Sequence, residues 1–203
     1  MKLVSIIIPH YNGKELLYNC INSIYQNIEI EDFEIIVVDN GSTDDSVQNI
    51  KQLFSKVVII HNQNNVGYSG GCNIGAKNAQ GKYLLFLNND TEHSERWIEK
   101  LVNFLDSHPG TFAVQPKILN ITNKEYFDYA GGAGGFLDHF GFPYVKGRIF
   151  NTLEKDTGQY DKSSEIFWSS GAAMMVRGDI FNKLNAFDEV YFAYMEEIDL
   201  CWR

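Results

Sequence analysis

Four short apolar runs, residues 4–9, 33–38, 57–60 and 82–87, recur through the first half of the chain, and several stop abruptly on polar residues. They are apolar throughout rather than alternating, as strands covered on both faces of a sheet must be. Between them the period changes. Leu17, Cys20, Ile21 and Ile24 fall on one face of a helix, as do Val47, Ile50 and Phe54. Trp97, Ile98, Leu101, Val102 and Leu105 mark a further amphipathic helix, closed by the Pro109-Gly110 turn. This alternation predicts an α/β fold, a doubly wound and mostly parallel sheet with helices on both faces.

At 203 residues the chain accommodates one well-buried domain, with residues 1–116 as its first half and 117–203 as its second. The formal net charge of −9 leaves no excess of cations to replace counterions on a nucleic acid, so that class of partner is excluded. Three widely spaced cysteines, Cys20, Cys72 and Cys201, show no metal spacing and imply reduced thiols in the cytoplasm. The first apolar run is cut off by His10, Tyr11 and Asn12, too early for a signal-peptide core. No run approaches the roughly 18–20 apolar residues of a membrane span.

From Phe112 the rhythm is lost. Residues 117–164, rich in Gly, Asn, Tyr and Phe, read as loops and short antiparallel strands packed on the first half, with GGAGGF at 131–136 serving a conformational need. Order returns at residues 166–168 and 171–176 and in a short helix near 179–184. The final segment, FAYMEEIDLCWR, starts a helix at the end of the chain, so the second half is expected to be cut short there.

In doubly wound sheets ligands collect at the carboxyl ends of the strands. Polar clusters stand there at 9–12, 39–42 and 88–90. Asp39 suits hydrogen bonds from a base or a ribose, or alternatively it is a turn residue capping the next helix. Ser42 to Asp45 has capping-box spacing, which frees Asp39 for a ligand. Asn88, Asn89 and Asp90 offer amide oxygens and a carboxylate to a hard cation, Mg²⁺ or Mn²⁺, or else form a polar turn. Glu92 is a weak second ligand. Residues 67–71 place glycines at a helix start, either as an anion cradle or as a simple turn. Glu196, Glu197 and Asp199 crowd at another helix start, where mutual repulsion favours a general base and solvation favours an ordinary helix end. Tyr191, Phe192, Tyr194 and Trp202 flank them with aromatic faces that suit a sugar or a core. The histidines receive no role.

Together these stretches resemble a family 2 glycosyltransferase of the GT-A fold, and most of all its rhamnosyltransferase-like branch. VSIIIPHYN and FEIIVVDNGSTDDS resemble the donor-nucleotide half, and NNVGYSGGCNIGAKNAQGKYLLFLNNDTE resembles the approach to the metal site. WSSGAAMMVRGDIFNKLNAFDEVYFAYMEEIDLCWR resembles the acceptor side and the catalytic motif. The resemblance implies donor contacts from Pro9, Tyr11, Asp39, Gly67, Asn73, Asn89 and Asp90, with Asp90 on a Mg²⁺ or Mn²⁺ ion. It implies acceptor-side roles for Trp168, Gly171, Asp188 and Glu196, and Glu197 as catalytic base. Three departures stand out. Asn88-Asn89-Asp90 replaces D-x-D, so a metal would rest on Asp90 and on the diphosphate itself. Glu197 stands where Asp is usual, one methylene longer. Asn185-Ala186 stands where Gly-Gly is usual.

The activity so implied is inverting transfer of a sugar from a nucleotide-diphosphate donor, dTDP-rhamnose or a UDP-hexose type, in cell-surface polysaccharide synthesis. Its acceptor would be a saccharide or lipid-linked saccharide, met at the inner face of the membrane. The competing reading is a catalytically silent nucleotide-sugar binder of the same fold. A dinucleotide-dependent oxidoreductase shares the alternation but requires G-x-G-x-x-G after the first strand, which is lacking.

Overall fold

In the computed structural model, which describes residues 2–203, the apolar runs become β1 (Lys2–His10), β2 (Phe33–Asp39), β3 (Val58–His61) and β4 (Gly81–Leu87). The periodic segments become α1 (Lys14–Asn27), α2 (Ser46–Leu53), α3 (Gly67–Asn78) and α4 (Trp97–Ser107). α1 buries Leu17, Cys20, Ile21 and Ile24, and α4 buries Trp97, Ile98, Leu101, Val102 and Leu105, the residues their periods single out.

A short strand follows, β5 (Ala113–Val114), then two hairpins, β6 (Gly135–Leu137) with β7 (Pro143–Val145) and β8 (Arg148–Ile149) with β9 (Thr152–Leu153). The chain then returns through β10 (Ala173–Arg177), α5 (Gly178–Lys183) and α6 (Glu196–Trp202). The main sheet runs β3-β2-β1-β4-β10-β5, with β1 to β4 parallel and β10 antiparallel to both its neighbours. Strand order reverses between β1 and β4, so a crevice opens at their carboxyl ends.

Alternate residues of the central strands serve opposite faces. Ile6, Ile8 and Leu85 pack with Leu17, Ile21, Ile50 and Leu101 in one core. Ile7, Val38 and Phe86 pack with Cys72, Phe181, Phe187 and Leu200 in the other. Phe86, Phe181 and Phe187 meet with ring centroids 4.9–5.2 Å apart, which ties the second half of the chain to the sheet.

Several expectations are corrected. β3 is an edge strand with Val58 44% exposed, not a strand covered on both faces. α2 begins at Ser46, and Ser42 does not cap it: its hydroxyl accepts the Asn12 N–H at 3.0 Å. Phe54 lies just past the end of α2. Residues 166–168 form no strand, only a bridge from Trp168 to Gly135. The glycine run meets the expected conformational need and also permits close packing. A Cβ on Gly135 would lie 2.0 Å from the Trp168 ring, and Gly131 and Gly134 hold φ of +110° and +102°.

Candidate active site

The polar ends of the first three strands come level, because the parallel register pairs His10 with Asp39 and Asp39 with His61. Asp39 is buried. Its Oδ1 accepts the Ser42 N–H at 2.8 Å and its Oδ2 accepts from His61 Nδ1 at 3.0 Å. Burial alone would raise this carboxyl, but the bonds from Ser42 and His61 outweigh it and hold Asp39 below the usual carboxylate range. Asp39 thus serves the turn, and each carboxylate oxygen keeps a second lone pair. Tyr11 stands beside this rim, 51% exposed. Pro9 packs toward α3, 3.1 Å from where a Cβ on Gly71 would sit.

Asn12 and Asp44 tie the β1–α1 turn to the β2–α2 loop. Asn12 Oδ1 accepts the Thr43 N–H at 2.8 Å, and Asp44 Oδ2 accepts the Gly13 N–H at 2.8 Å. His10, 1% exposed, lies behind them. Its Nε2 meets Ser46 Oγ at 2.8 Å and its Nδ1 meets the Asn89 amide nitrogen at 2.7 Å. Burial holds this ring below the usual imidazole range against the raising pull of Asp44 and Asp39.

β4 ends at Leu87, where the sheet interior gives way to the crevice. Asn88 stays in the scaffold, donating its N–H to Ala172 O at 3.1 Å and accepting the Thr91 hydroxyl at 2.9 Å. Asp90 is exposed, and no hydrogen bond or ion pair engages its carboxylate among the described residues. Glu92 is paired with Lys124 at 3.1 Å, both side chains exposed. Among the described residues no group of three or more His, Cys, Asp or Glu side chains is gathered for a metal. The donor set thus fits a hard cation whose remaining positions are filled by diphosphate oxygens and water.

The start of α3 is not an anion cradle. The Gly67 N–H donates to Asn65 Oδ1 at 2.9 Å and the Tyr68 N–H to Phe192 O at 2.7 Å, so its first two donors are spent. Gly67 is required there because its φ is +76° and a Cβ would stand 2.2 Å from Phe192 O. Asn73, buried, turns its amide to Phe187 and Glu189 rather than to the crevice. Gly67 and Asn73 are thus the seats on which segment 187–192 is laid. Asn40 joins this frame, donating to Gly67 O at 3.0 Å from the end of β2.

That segment delivers Glu196 and Glu197 at the first turn of α6. Glu196 is 4% exposed, and Oε2 of each glutamate is buried without a hydrogen-bond partner. Burial first and the charge of Glu197 second push Glu196 up to about 7. Burial raises Glu197 too, opposed by hydrogen bonds from its own backbone, Glu196 and Gly171. Gly171 O accepts the Tyr68 hydroxyl and Ala172 O accepts the Asn88 N–H, so residues 171 and 172 are tied both to α3 and to the end of β4. Trp168, expected on the acceptor side, is buried, its Nε1 donating to Phe136 O at 3.1 Å, which makes it a floor of the second half. Asp188 is exposed and caps the Val190 N–H at 3.0 Å.

The sequence placed His10, Asn12 and Asn40 in the polar clusters at strand ends without an individual role, and gave no site role to Asp44, Ser46 or His61. Their shared signal is position: each stands at or just beyond the carboxyl end of an apolar run, and the register brings these ends together.

The glycosyl transferase family 2 model matches residues 5–183. Glycosyltransferase GlyG of Streptococcus pneumoniae serotype 4 is 27% identical over 98% of this chain and 62% of its own length. An Escherichia coli protein, UDP-Glc:alpha-D-GlcNAc-diphosphoundecaprenol beta-1,3-glucosyltransferase WfaP, is 34% identical over 56% of this chain and 45% of its own. The solved structure of GalNAc-T7 with UDP, GalNAc and Mn²⁺ superposes over 100% of this chain and 40% of that one, with a TM-score of 0.75 at 17% identity. The chain matches 39–62% of the lengths of the first curated relatives. The sheet order and the likeness to such structures give it the GT-A fold. With the matched region running from within β1 to the end of α5, the chain belongs to glycosyl transferase family 2.

Proposed function

We propose that this chain transfers a sugar, with inversion, from a nucleotide-diphosphate donor of the dTDP-rhamnose or UDP-hexose type. The acceptor is a saccharide or lipid-linked saccharide in cell-surface polysaccharide synthesis, met in the cytoplasm at the inner face of the membrane. The observation that carries this reading is the Asp90 carboxylate, exposed and unengaged among the described residues at the end of β4, together with the acidic pair Glu196-Glu197, each with a buried oxygen, at the first turn of α6. WfaP, by its name a glucosyltransferase acting on a lipid-linked saccharide, and GalNAc-T7, solved with UDP and Mn²⁺, support the acceptor and donor classes.

In this mechanism Asp39 and the rim beside Tyr11 bind the nucleoside, the carboxylate accepting from base or ribose. Glu197 takes the acceptor hydroxyl proton as the oxygen attacks the anomeric carbon from the face opposite the diphosphate. Glu196 and Asp188 orient the acceptor side. Asp90 would hold Mg²⁺ or Mn²⁺, and the ion would supply charge neutralisation for the departing diphosphate.

A silent nucleotide-sugar binder is the second reading, favoured by the buried, partnerless oxygens on both glutamates, since a protonated Glu197 accepts no proton. The decisive experiment titrates UDP, dTDP and GDP by calorimetry with and without Mn²⁺, then assays transfer. The expected outcome is metal-dependent binding of one nucleotide, weakened by Asp90→Ala. Transfer should be abolished by Glu197→Gln with donor binding intact. Binding without any transfer in the unsubstituted protein would select the silent reading.

A further inference from the structure

The hydrogen-bond chain behind the crevice has one direction only. The Asp44 carboxylate can only accept, and the Ser46 hydroxyl donates to its Oδ1. That hydroxyl is then left with lone pairs, so the contact at 2.8 Å must come from an Nε2–H on His10. With its proton on Nε2, His10 presents a bare Nδ1, and the Asn89 amide nitrogen donates to it at 2.7 Å. An Nδ1–H tautomer or a charged ring would set N–H against N–H at that contact. Nor can the Asn89 amide turn over against the neutral ring without setting its oxygen against the Nδ1 lone pair.

The far end of this chain is the useful one. With its nitrogen held by His10, Asn89 has Oδ1 as its free end, without a partner among the described residues and next in sequence to the Asp90 carboxylate. A turned amide would offer two N–H groups to the same space, which a cation repels. The near end is anchored equally firmly, because Asp44 Oδ2 also accepts the Gly13 N–H at 2.8 Å.

Resting on the proposed function, we infer that His10 is a positioning residue: through its Nε2–H tautomer it fixes the Asn89 amide so that Oδ1 becomes a neutral oxygen beside Asp90 for the cation–diphosphate pair. Asp90 alone is a thin ligand set, and a neutral oxygen added to it raises affinity without adding charge. Partners that orient metal ligands from behind typically change affinity by roughly 10–100-fold when removed.

The test is calorimetry of whichever nucleoside diphosphate among UDP, dTDP and GDP the protein binds, with and without Mn²⁺, for the unsubstituted protein, His10→Leu, Asn89→Ala and the double variant. Each single substitution should reduce the Mn²⁺-dependent gain in affinity by about tenfold or more, and His10→Leu should move metal-free binding by less than about twofold. The double variant should lose no more than Asn89→Ala alone, because His10 acts through Asn89. His10→Asn, which keeps an acceptor where Nδ1 stands, should recover much of the gain, a rescue that a purely space-filling role would not give. Asn89→Ala, at a half-buried position, supplies the reading if His10→Leu fails to fold. An unsubstituted protein that responds to Mn²⁺ while both single variants keep the full gain overturns this inference and leaves the proposed function standing. A protein that binds none of the nucleotides overturns both.

Discussion

Asn73 pairs with the backbone of Phe187 from both sides: its Nδ2 donates to Phe187 O at 2.9 Å and its Oδ1 accepts the Phe187 N–H at 3.1 Å. The residues are 114 apart in sequence, yet the amide closes on the peptide as a neighbouring strand would. This fixes where segment 187–192 begins its path toward Glu196.

Asn73→Ala therefore strands buried backbone groups, and the cost is expected to be about 2–4 kcal/mol. Urea denaturation reads the loss directly. An unchanged midpoint would mean that segment 187–192 holds its course without the clamp.

Glu196 makes stability depend on pH in a defined window. Its carboxyl is ordinary at 4.5 when unfolded and is pushed up to about 7 when folded. Between those values the folded state keeps a proton that the unfolded chain has released. Stability is therefore full below the lower value and declines as pH rises toward 7. Glu196→Gln removes the group, so its urea midpoint should fall less than that of the unsubstituted protein between pH 5 and pH 7.5. Parallel curves for the two proteins would rule out a proton on Glu196.

Gly67 should tolerate no side chain. Gly67→Ala would combine a left-handed φ of +76° with a Cβ 2.2 Å from Phe192 O. The backbone conformation alone costs about 1–2 kcal/mol, and the clash is relieved only by moving the loop that leads to the glutamates. Transfer should fall mainly in kcat, with donor KM little changed, and steady-state kinetics separate the two. A variant with native kcat would uncouple this seat from catalysis.

Ala186 offers the opposite case. It and Asn185 hold φ of +61° and +60°, and only asparagine adopts that region readily among residues with a side chain. Ala186→Gly should stabilise the protein by about 0.5–1 kcal/mol after the added unfolded-state entropy is subtracted. That corresponds to roughly 1–4 °C in Tm. A lower Tm would show that the turn carries no strain at this position.

The resemblance drawn from sequence motifs placed Gly67 and Asn73 among the donor contacts, and the structure shows why such residues are hard to read from sequence. Both lie near the crevice, but the Asn73 amide is committed to Phe187 and Glu189, and the Gly67 N–H and C=O to Asn65 and Asn40, with Phe192 packed against its Cα. The same holds for Trp168, to which the resemblance gave an acceptor-side role and whose ring lies on Gly135. Asp90 and Glu197 stand out in the sequence as a carboxylate ending a buried strand and as part of an acidic pair opening a helix, and the proposed function uses both.

What the sequence determined on its own is the local layer. Burial periods placed α1 and α4 on the faces formed by Leu17, Cys20, Ile21 and Ile24 and by Trp97 to Leu105, and the apolar runs located β1, β2 and β4. A helix or strand face depends on residues a few positions apart, and that information is contiguous. Only the tertiary structure inserted β10 between β4 and β5, joined His10 to Asn89 across 79 positions, and buried Glu196 beside Glu197. Pairing, tautomer and desolvation arise from groups distant in the chain that share one small volume, and no local pattern specifies which groups those are.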